Sequence, residues 1–135
     1  MTFLLDTNTV SYVMRGDRAV RERLTACDRT DVVLCHPVVA EIEYGLARLP
    51  RSARRNRLRG RFDLFLRELV RVPWTDEVSR TFGAIKADLE RRGVRLEDLD
   101  VAVAAHAVAL DATLVTDDID HMRRVKGLSL ETWRA

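Results

Sequence analysis

Hydrophobic and polar positions along this chain follow two alternating patterns. Short apolar runs of three or four residues, rich in valine and leucine, are typical of strands buried in a sheet. Four such runs lie at residues 3–5, 32–35, 70–72 and 114–116, and residues 128–130 form a candidate edge strand. These runs predict four or five short strands.

The segments between the runs place apolar residues at helical spacing. One stripe covers positions 38–49, a second covers 62–69 and a third covers 78–89, which ends before Gly93. The segment "DVAVAAHAVAL" is apolar nearly all round, so we expect a buried helix there. Strands that alternate with helices predict an α/β fold whose parallel sheet is covered on both faces.

Composition narrows the class of protein. With 135 residues, 47% hydrophobic and 33% charged, the chain is expected to be one globular domain with a core of its own. No apolar run approaches the length of a membrane span, and the stretch before Asp6 is too short for a secretory signal. Cys27 and Cys35 match no metal-binding or disulfide spacing. We therefore expect a cytoplasmic protein that is not in a membrane.

Acidic residues follow the predicted strands at corresponding positions. Asp6 comes directly after the first strand, and Asp117 and Asp118 come after residues 114–116. Glu41 lies about one turn into the helix after the second strand, and Asp100 lies at the start of the apolar helix. Because ligands bind at the carboxyl edge of parallel sheets, we expect these acids to gather there.

Clustered carboxylates repel one another, and a divalent cation relieves that repulsion. Oxygen ligands without cysteine or paired histidine favour Mg²⁺ or Mn²⁺ over zinc. Each acid taken singly also has a structural interpretation as a turn or cap residue. Glu43 and Asp98, two positions from Glu41 and Asp100, leave open which member of each pair faces the site.

Four sequence blocks resemble the PIN-domain ribonucleases, in particular the VapC-type toxins of toxin–antitoxin pairs. "LLDTN" is similar to the opening strand and first acid, and "VVAEIEYGLARLP" is similar to the second block, whose acid would be Glu41. "DLDVAVAAHAVALDATLVTDD" is similar to the third and fourth blocks, with Asp100 and Asp118 as their acids. "RRVKGLSLETW" resembles the closing strand.

The resemblance implies a PIN-like three-layer sandwich, in which helices flank a short, mostly parallel sheet of four or five strands. It covers residues 1–135 as a single PIN domain. It also implies a magnesium-dependent endoribonuclease, the toxin of a type II pair, that hydrolyses RNA phosphodiester bonds with a metal-activated water. Its partners would be RNA, a small antitoxin that occupies the acidic pocket, and a second copy in a homodimer.

The resemblance also assigns roles to individual residues. Asp6 and Asp100 would ligate the metal, with Glu41 and Asp118 completing the catalytic set. Asp117, where many relatives carry a different residue, is an alternative ligand. Hydrogen bonds from neighbouring hydroxyl and amide groups would orient these carboxylates. The groups are the side chains of Thr7, Asn8 and Thr116.

An arginine-rich segment, "RLPRSARRNRLRGR", contains no acid. It is either a solvated helix pair or a rim on which Arg51, Arg54 and Arg55 bind RNA phosphates. Two other enzyme classes fit poorly: a receiver domain needs a lysine after its last strand, and an aspartate phosphatase needs a second Asp where Asn8 stands. A PIN-like subunit that acts mainly in a DNA-binding toxin–antitoxin complex, with little nuclease activity, remains the alternative function.

Overall fold

The structure is a computed structural model that describes residues 1–134, and strands alternate with helices along it. In chain order the elements are β1 (Phe3–Leu5), α1 (Thr7–Met14), α2 (Arg18–Ala26), β2 (Val32–Cys35), α3 (His36–Ala47), α4 (Ala53–Glu68), β3 (Val70–Val72), α5 (Asp76–Arg91), α6 (Asp98–Ala109), β4 (Thr113–Val115), α7 (Ile119–Met122) and β5 (Ser129–Glu131). The five strands form one sheet in the order β3-β2-β1-β4-β5, and every pairing is parallel. The predicted α/β fold is confirmed.

Burial along the strands shows that helices cover both faces of the sheet. All four residues of β2 are buried, although successive side chains of a strand point to opposite faces. Leu4 and Leu5 of β1 are also fully buried, and β1 is the middle strand. This sandwich leaves the carboxyl end of the sheet as an edge at which polar residues can meet.

The apolar segment forms a buried helix, as predicted. Residues 101–107 of α6 are all buried, and α6 packs along α5. His106 is among them, and its Nδ1 lies 2.8 Å from the carbonyl oxygen of Ala102. None of the helices within residues 1–134 has the length and hydropathy needed to cross a bilayer.

The structure departs from the predicted elements in two respects. The last two strands lie one residue away from the predicted runs, at Thr113–Val115 and Ser129–Glu131. Three helices, α1, α2 and the short α7, occupy residues that the apolar pattern left unassigned. Both α1 and α2 begin at an aspartate whose side chain accepts a hydrogen bond from the first turn, Asp6 for α1 and Asp17 for α2. Capping rather than a long apolar stripe marks the start of these helices.

Candidate active site

Asp6 is held at the junction of β1 and α1 by hydrogen bonds to both of its carboxylate oxygens. Its backbone N–H donates to the carbonyl of Val115 at 2.9 Å, which extends the β1–β4 ladder by one residue. Its Oδ1 accepts from the backbone N–H of Thr7 at 2.8 Å, and its Oδ2 accepts from the hydroxyl of Thr116 at 2.8 Å. Asp6 is therefore a helix cap, and it is also a buried carboxylate in a fixed orientation.

The hydroxyl of Thr116 links the first strand to the loop after β4. While it donates to Asp6, it accepts from the backbone N–H of Asp118 at 3.0 Å and from the side-chain amide of Asn8 at 3.4 Å. Asn8 in turn accepts from the backbone N–H of Asp117 at 3.1 Å. One buried hydroxyl thus sets the position of two acids that lie 112 residues apart in the chain, Asp6 and Asp118.

Thr7 connects the start of α1 to α3. Its hydroxyl donates to Oε1 of Glu41 at 2.8 Å, so the carboxylate of Glu41 is turned toward the carboxyl end of β1. Thr7, Asn8 and Thr116 therefore each form a hydrogen bond with a candidate acid or with the loop that carries one.

Four acids, Asp6, Glu41, Asp100 and Asp118, lie within electrostatic range of one another. Burial raises the pKa of Asp6, and the charges of Glu41 and Asp118 add to the rise, against hydrogen bonds from Thr116 and Thr7 that lower it. The pKa of Asp100 rises to about 6, first because the carboxyl is partly buried and then because Asp6, Glu41 and Asp118 are nearby. The fold thus brings these four carboxyl groups together at an energetic cost in the metal-free state.

The structure separates the members of two ambiguous acidic pairs. Asp98 points to solvent, where its carboxylate lies 3.0 Å from the ammonium of Lys86 and its side chain is 70% exposed. Glu43 forms an exposed ion pair with Arg59 of α4. Asp98 lies at the margin of the cleft that Glu41 and Asp100 also line. However, Glu41, and neither Glu43 nor Asp98, contributes to the raised pKa of Asp100.

Asp117 and Asp118 are adjacent in sequence but have different surroundings. The carboxylate of Asp117 accepts from the hydroxyl of Tyr12 at 3.2 Å and lies 3.7 Å from the guanidinium of Arg134. Asp118, not Asp117, contributes to the raised pKa values of Asp6 and Asp100. The fold therefore places Asp118 in the acidic cluster and Asp117 in contact with the C-terminal segment.

His121 is a neighbour of the cluster that the sequence analysis did not single out. Its Nε2 lies 3.7 Å from Oδ2 of Asp100, and its charge when protonated lowers the pKa of that carboxyl. Together with Arg95, His121 lines the cleft of about 570 Å³ that contains Glu41 and Asp100. Its spacing of three residues from Asp118, one turn of a helix, is the signal that could have identified it.

The donor chemistry of the cluster fits magnesium better than zinc. Within residues 1–134, no three histidine, cysteine or acidic side chains are close enough together to form a complete metal cage. Mg²⁺ does not need such a cage, because it keeps several waters and takes one or two carboxylates from the protein. The four acids supply oxygen donors, and the raised pKa values of Asp6 and Asp100 reflect burial first and then repulsion between the carboxylates, which a bound cation would relieve.

The arginine-rich segment is divided between structural and exposed roles. Arg59 pairs with Glu43 and Asp63, and Arg61 donates to the carbonyl of Met14. Arg54 lines a groove that also contains Glu41, whereas Arg51 and Arg55 do not line it. Only Arg54 among the three predicted RNA contacts therefore lies beside the acidic cluster.

Comparison with known proteins agrees with this architecture. The PIN domain family matches residues 3–128. A protein of Rickettsia felis named ribonuclease VapC2 is 27% identical over 98% of both chains, and the VapC ribonuclease Y4jK of Sinorhizobium fredii is 32% identical over 85% of this chain and 86% of its own. The crystal structure of VapBC2 from Rickettsia felis, bound to a DNA fragment from its promoter, superposes with a TM-score of 0.88 and 27% identity over 98% of this chain and 99% of its own. The sheet, the acidic edge and these matches show that the chain belongs to the PIN domain family and, within it, to the VapC ribonucleases.

Proposed function

We propose that this protein is a magnesium-dependent endoribonuclease and the toxin of a type II toxin–antitoxin pair. One observation carries the proposal: four carboxyl groups from separate segments gather at the carboxyl end of the sheet, where burial and then the charges of the other three raise the pKa of Asp100 to about 6. Such a cluster is unfavourable in the free protein and becomes favourable when a cation binds. The relatives described above, which are named ribonucleases, support an RNA substrate.

The metal would be held by Asp6 and Asp100, with Glu41 and Asp118 completing the site and Mn²⁺ as an acceptable substitute for Mg²⁺. When bound, the ion supplies a lowered pKa for a bound water and positive charge beside the phosphate under attack. Both oxygens of Asp6 accept hydrogen bonds from the protein, and each keeps a second lone pair for a ligand. The role of the chain is thus to hold the carboxylates in place and to exclude bulk water from Asp6.

Glu41 is suited to orient a water molecule. Thr7 binds its Oε1, which fixes the rotamer and leaves Oε2 available to the cleft. The hydroxyl of Thr116 accepts a hydrogen bond from the backbone N–H of Asp118 and so holds the backbone of that residue. A hydroxyl therefore positions each of these acids without neutralising it.

A small antitoxin that occupies the acidic pocket is the proposed protein partner, and a homodimer is the proposed assembly. The match to VapBC2 bound to promoter DNA also favours a second candidate, in which the chain acts mainly within a DNA-binding complex and cleaves little RNA. Catalytic competence of the isolated protein separates the two.

Single substitutions at positions 98 and 100 test the proposal. Purified protein is incubated with total RNA in Mg²⁺ or in EDTA, as wild type, Asp100→Asn and Asp98→Asn. We expect wild type and Asp98→Asn to cleave only with Mg²⁺, and Asp100→Asn to lose cleavage, because Asp98 is exposed and paired with Lys86.

A second readout does not depend on activity. Mg²⁺ should raise the melting temperature of wild type and of Asp98→Asn, since an ion that binds only the folded state stabilises it. The melting temperature of Asp100→Asn should respond much less. Cleavage in EDTA, or equal magnesium responses in all three proteins, would refute the metal site.

A further inference from the structure

A groove of about 470 Å³ runs from the acidic cluster between α1, α3 and α4. Thr7 and Glu41 lie at one end of it. Three arginines line it, namely Arg15, Arg48 and Arg54, and Glu41 is its one acid. The groove therefore begins at the candidate site and continues over a surface that attracts anions.

An exposed aromatic ring stands in this groove, on the same helix face as Glu41. Tyr44 and Arg48 follow Glu41 by three and seven residues, so they lie on one side of α3, about 4.5 and 10.5 Å further along the axis. Tyr44 is 66% exposed. The guanidinium of Arg48 lies 5.6 Å from the centre of its ring and covers one side of it.

Gly45 forms part of the groove beside Tyr44 and has no packing role there. It lies within α3, where glycine is less favourable than alanine, and a Cβ at this position would meet nothing within 4 Å. The fold therefore does not require glycine at this position. Its effect is to keep the backbone open to a close-approaching ligand.

We propose that this groove binds an unpaired stretch of RNA next to the scissile phosphate, with a base stacked on the free face of Tyr44 and a phosphate on Arg48. This inference rests on the proposed nuclease function and specifies its substrate class. Only an unstacked base can reach an aromatic face, so the groove selects single-stranded RNA, as in a loop, over a duplex. The three arginines complement a polyanion better than they complement a protein surface of mixed charge.

Stacking is tested by binding of a fluorescein-labelled single-stranded RNA in EDTA, with its duplex as comparison. Tyr44→Ala should weaken single-strand binding about 5- to 150-fold, while Tyr44→Phe, which keeps the ring, should bind like wild type. Leu64→Ala, which truncates another exposed large side chain outside the groove, should leave RNA binding unchanged. Arg48→Gln should flatten the logarithmic salt dependence by about 0.7.

Abasic substitutions in the RNA locate the stacked base. One abasic position should weaken binding of wild type by the same factor as Tyr44→Ala does, and it should have no further effect on the Tyr44→Ala variant. A ring that serves only the fold would not show this coupling between one base and one side chain.

Of the three mid-helix glycines, Gly45 and Gly83 give a matched pair. Gly45→Ala should stabilise the fold and weaken RNA binding, because its methyl group enters the groove. Gly83→Ala, at an exposed position of α5 with equally open surroundings, should stabilise the fold and leave RNA binding unchanged.

Wild-type RNA binding by Tyr44→Ala, or equal affinity of the wild type for single-stranded and duplex RNA, would overturn the inference. So would a Tyr44→Ala variant that loses only antitoxin binding, because the groove would then belong to the protein partner. These outcomes differ from failure of the proposed function. That failure would appear as absent magnesium-dependent cleavage by wild type, whereas the binding tests in EDTA judge the groove alone.

Discussion

Replacing Asp100 by asparagine should stabilise the metal-free protein, although Asp100 is proposed to be essential for activity. The carboxyl has an ordinary pKa of 3.8 and a pKa of about 6 in the fold. A rise of that size corresponds to about 3 kcal/mol of lost folding free energy once the group is ionised. The side chain is 29% exposed, so solvent screens part of this cost. The attraction between the carboxylate and the N-terminus of α6 is also lost, so we expect about 1–2 kcal/mol of net stabilisation.

The stability that Asp100→Asn gains over wild type should increase with pH. Below about pH 4 the carboxyl is protonated in both the folded and the unfolded protein, so the variant and wild type should be equally stable. Between about pH 4 and pH 6 only the folded state holds the proton, and the stability of wild type therefore falls as pH rises. Above pH 6, where the pKa of about 6 has been passed, the advantage of asparagine is complete.

Urea unfolding followed by circular dichroism, in EDTA at pH 4, 5, 6 and 8, measures this difference. In excess Mg²⁺ the order should reverse, because an ion at a hundred times its Kd adds about 2.7 kcal/mol to the protein that binds it. Asp98→Asn is the control. Its stability should match that of wild type both in EDTA and in Mg²⁺, because Asp98 is exposed. A stability difference that is constant with pH, or destabilisation by Asp100→Asn at pH 8, would refute the reasoning.

Three further changes test other parts of the site and fold. Thr116→Val should cost about 1–3 kcal/mol in urea unfolding and reduce RNA cleavage, because Asp6 and the backbone of Asp118 lose a buried hydrogen-bond partner; Thr116→Ser should retain most of both. Gly93→Ala should lower the melting temperature by the equivalent of about 1 kcal/mol, since its φ of +68° is unfavourable for a side chain; an unchanged temperature would contradict the assigned backbone conformation. Asp118→Asn should reduce cleavage far more than Asp117→Asn, and the opposite order would assign the fourth acid to Asp117.

The sequence by itself determined the class of fold and the region in which the site lies. Short apolar runs and apolar residues at helical spacing are local properties, so they predicted four short strands closely, and the nearly all-apolar segment predicted the buried helix of residues 98–109. Alternation of strands and helices then required a parallel sheet, and acids directly after two of the strands had to lie at its carboxyl edge. The helices α1 and α2 were missed because caps, rather than a long apolar stripe, define them. The helix α7 was missed because its four residues are too few to show a helical period.

Tertiary structure alone decided which acid of each neighbouring pair faces the cluster. Lys86 of the preceding helix pairs with Asp98, and Tyr12 of α1 and Arg134 of the C-terminal segment contact Asp117, so each contact depends on how separate segments pack. The raised pKa of Asp100 has the same origin, because its neighbours are brought together only by folding. Local patterns specify the period of an element but not its rotation against the rest of the molecule, and that rotation determines which side chains meet.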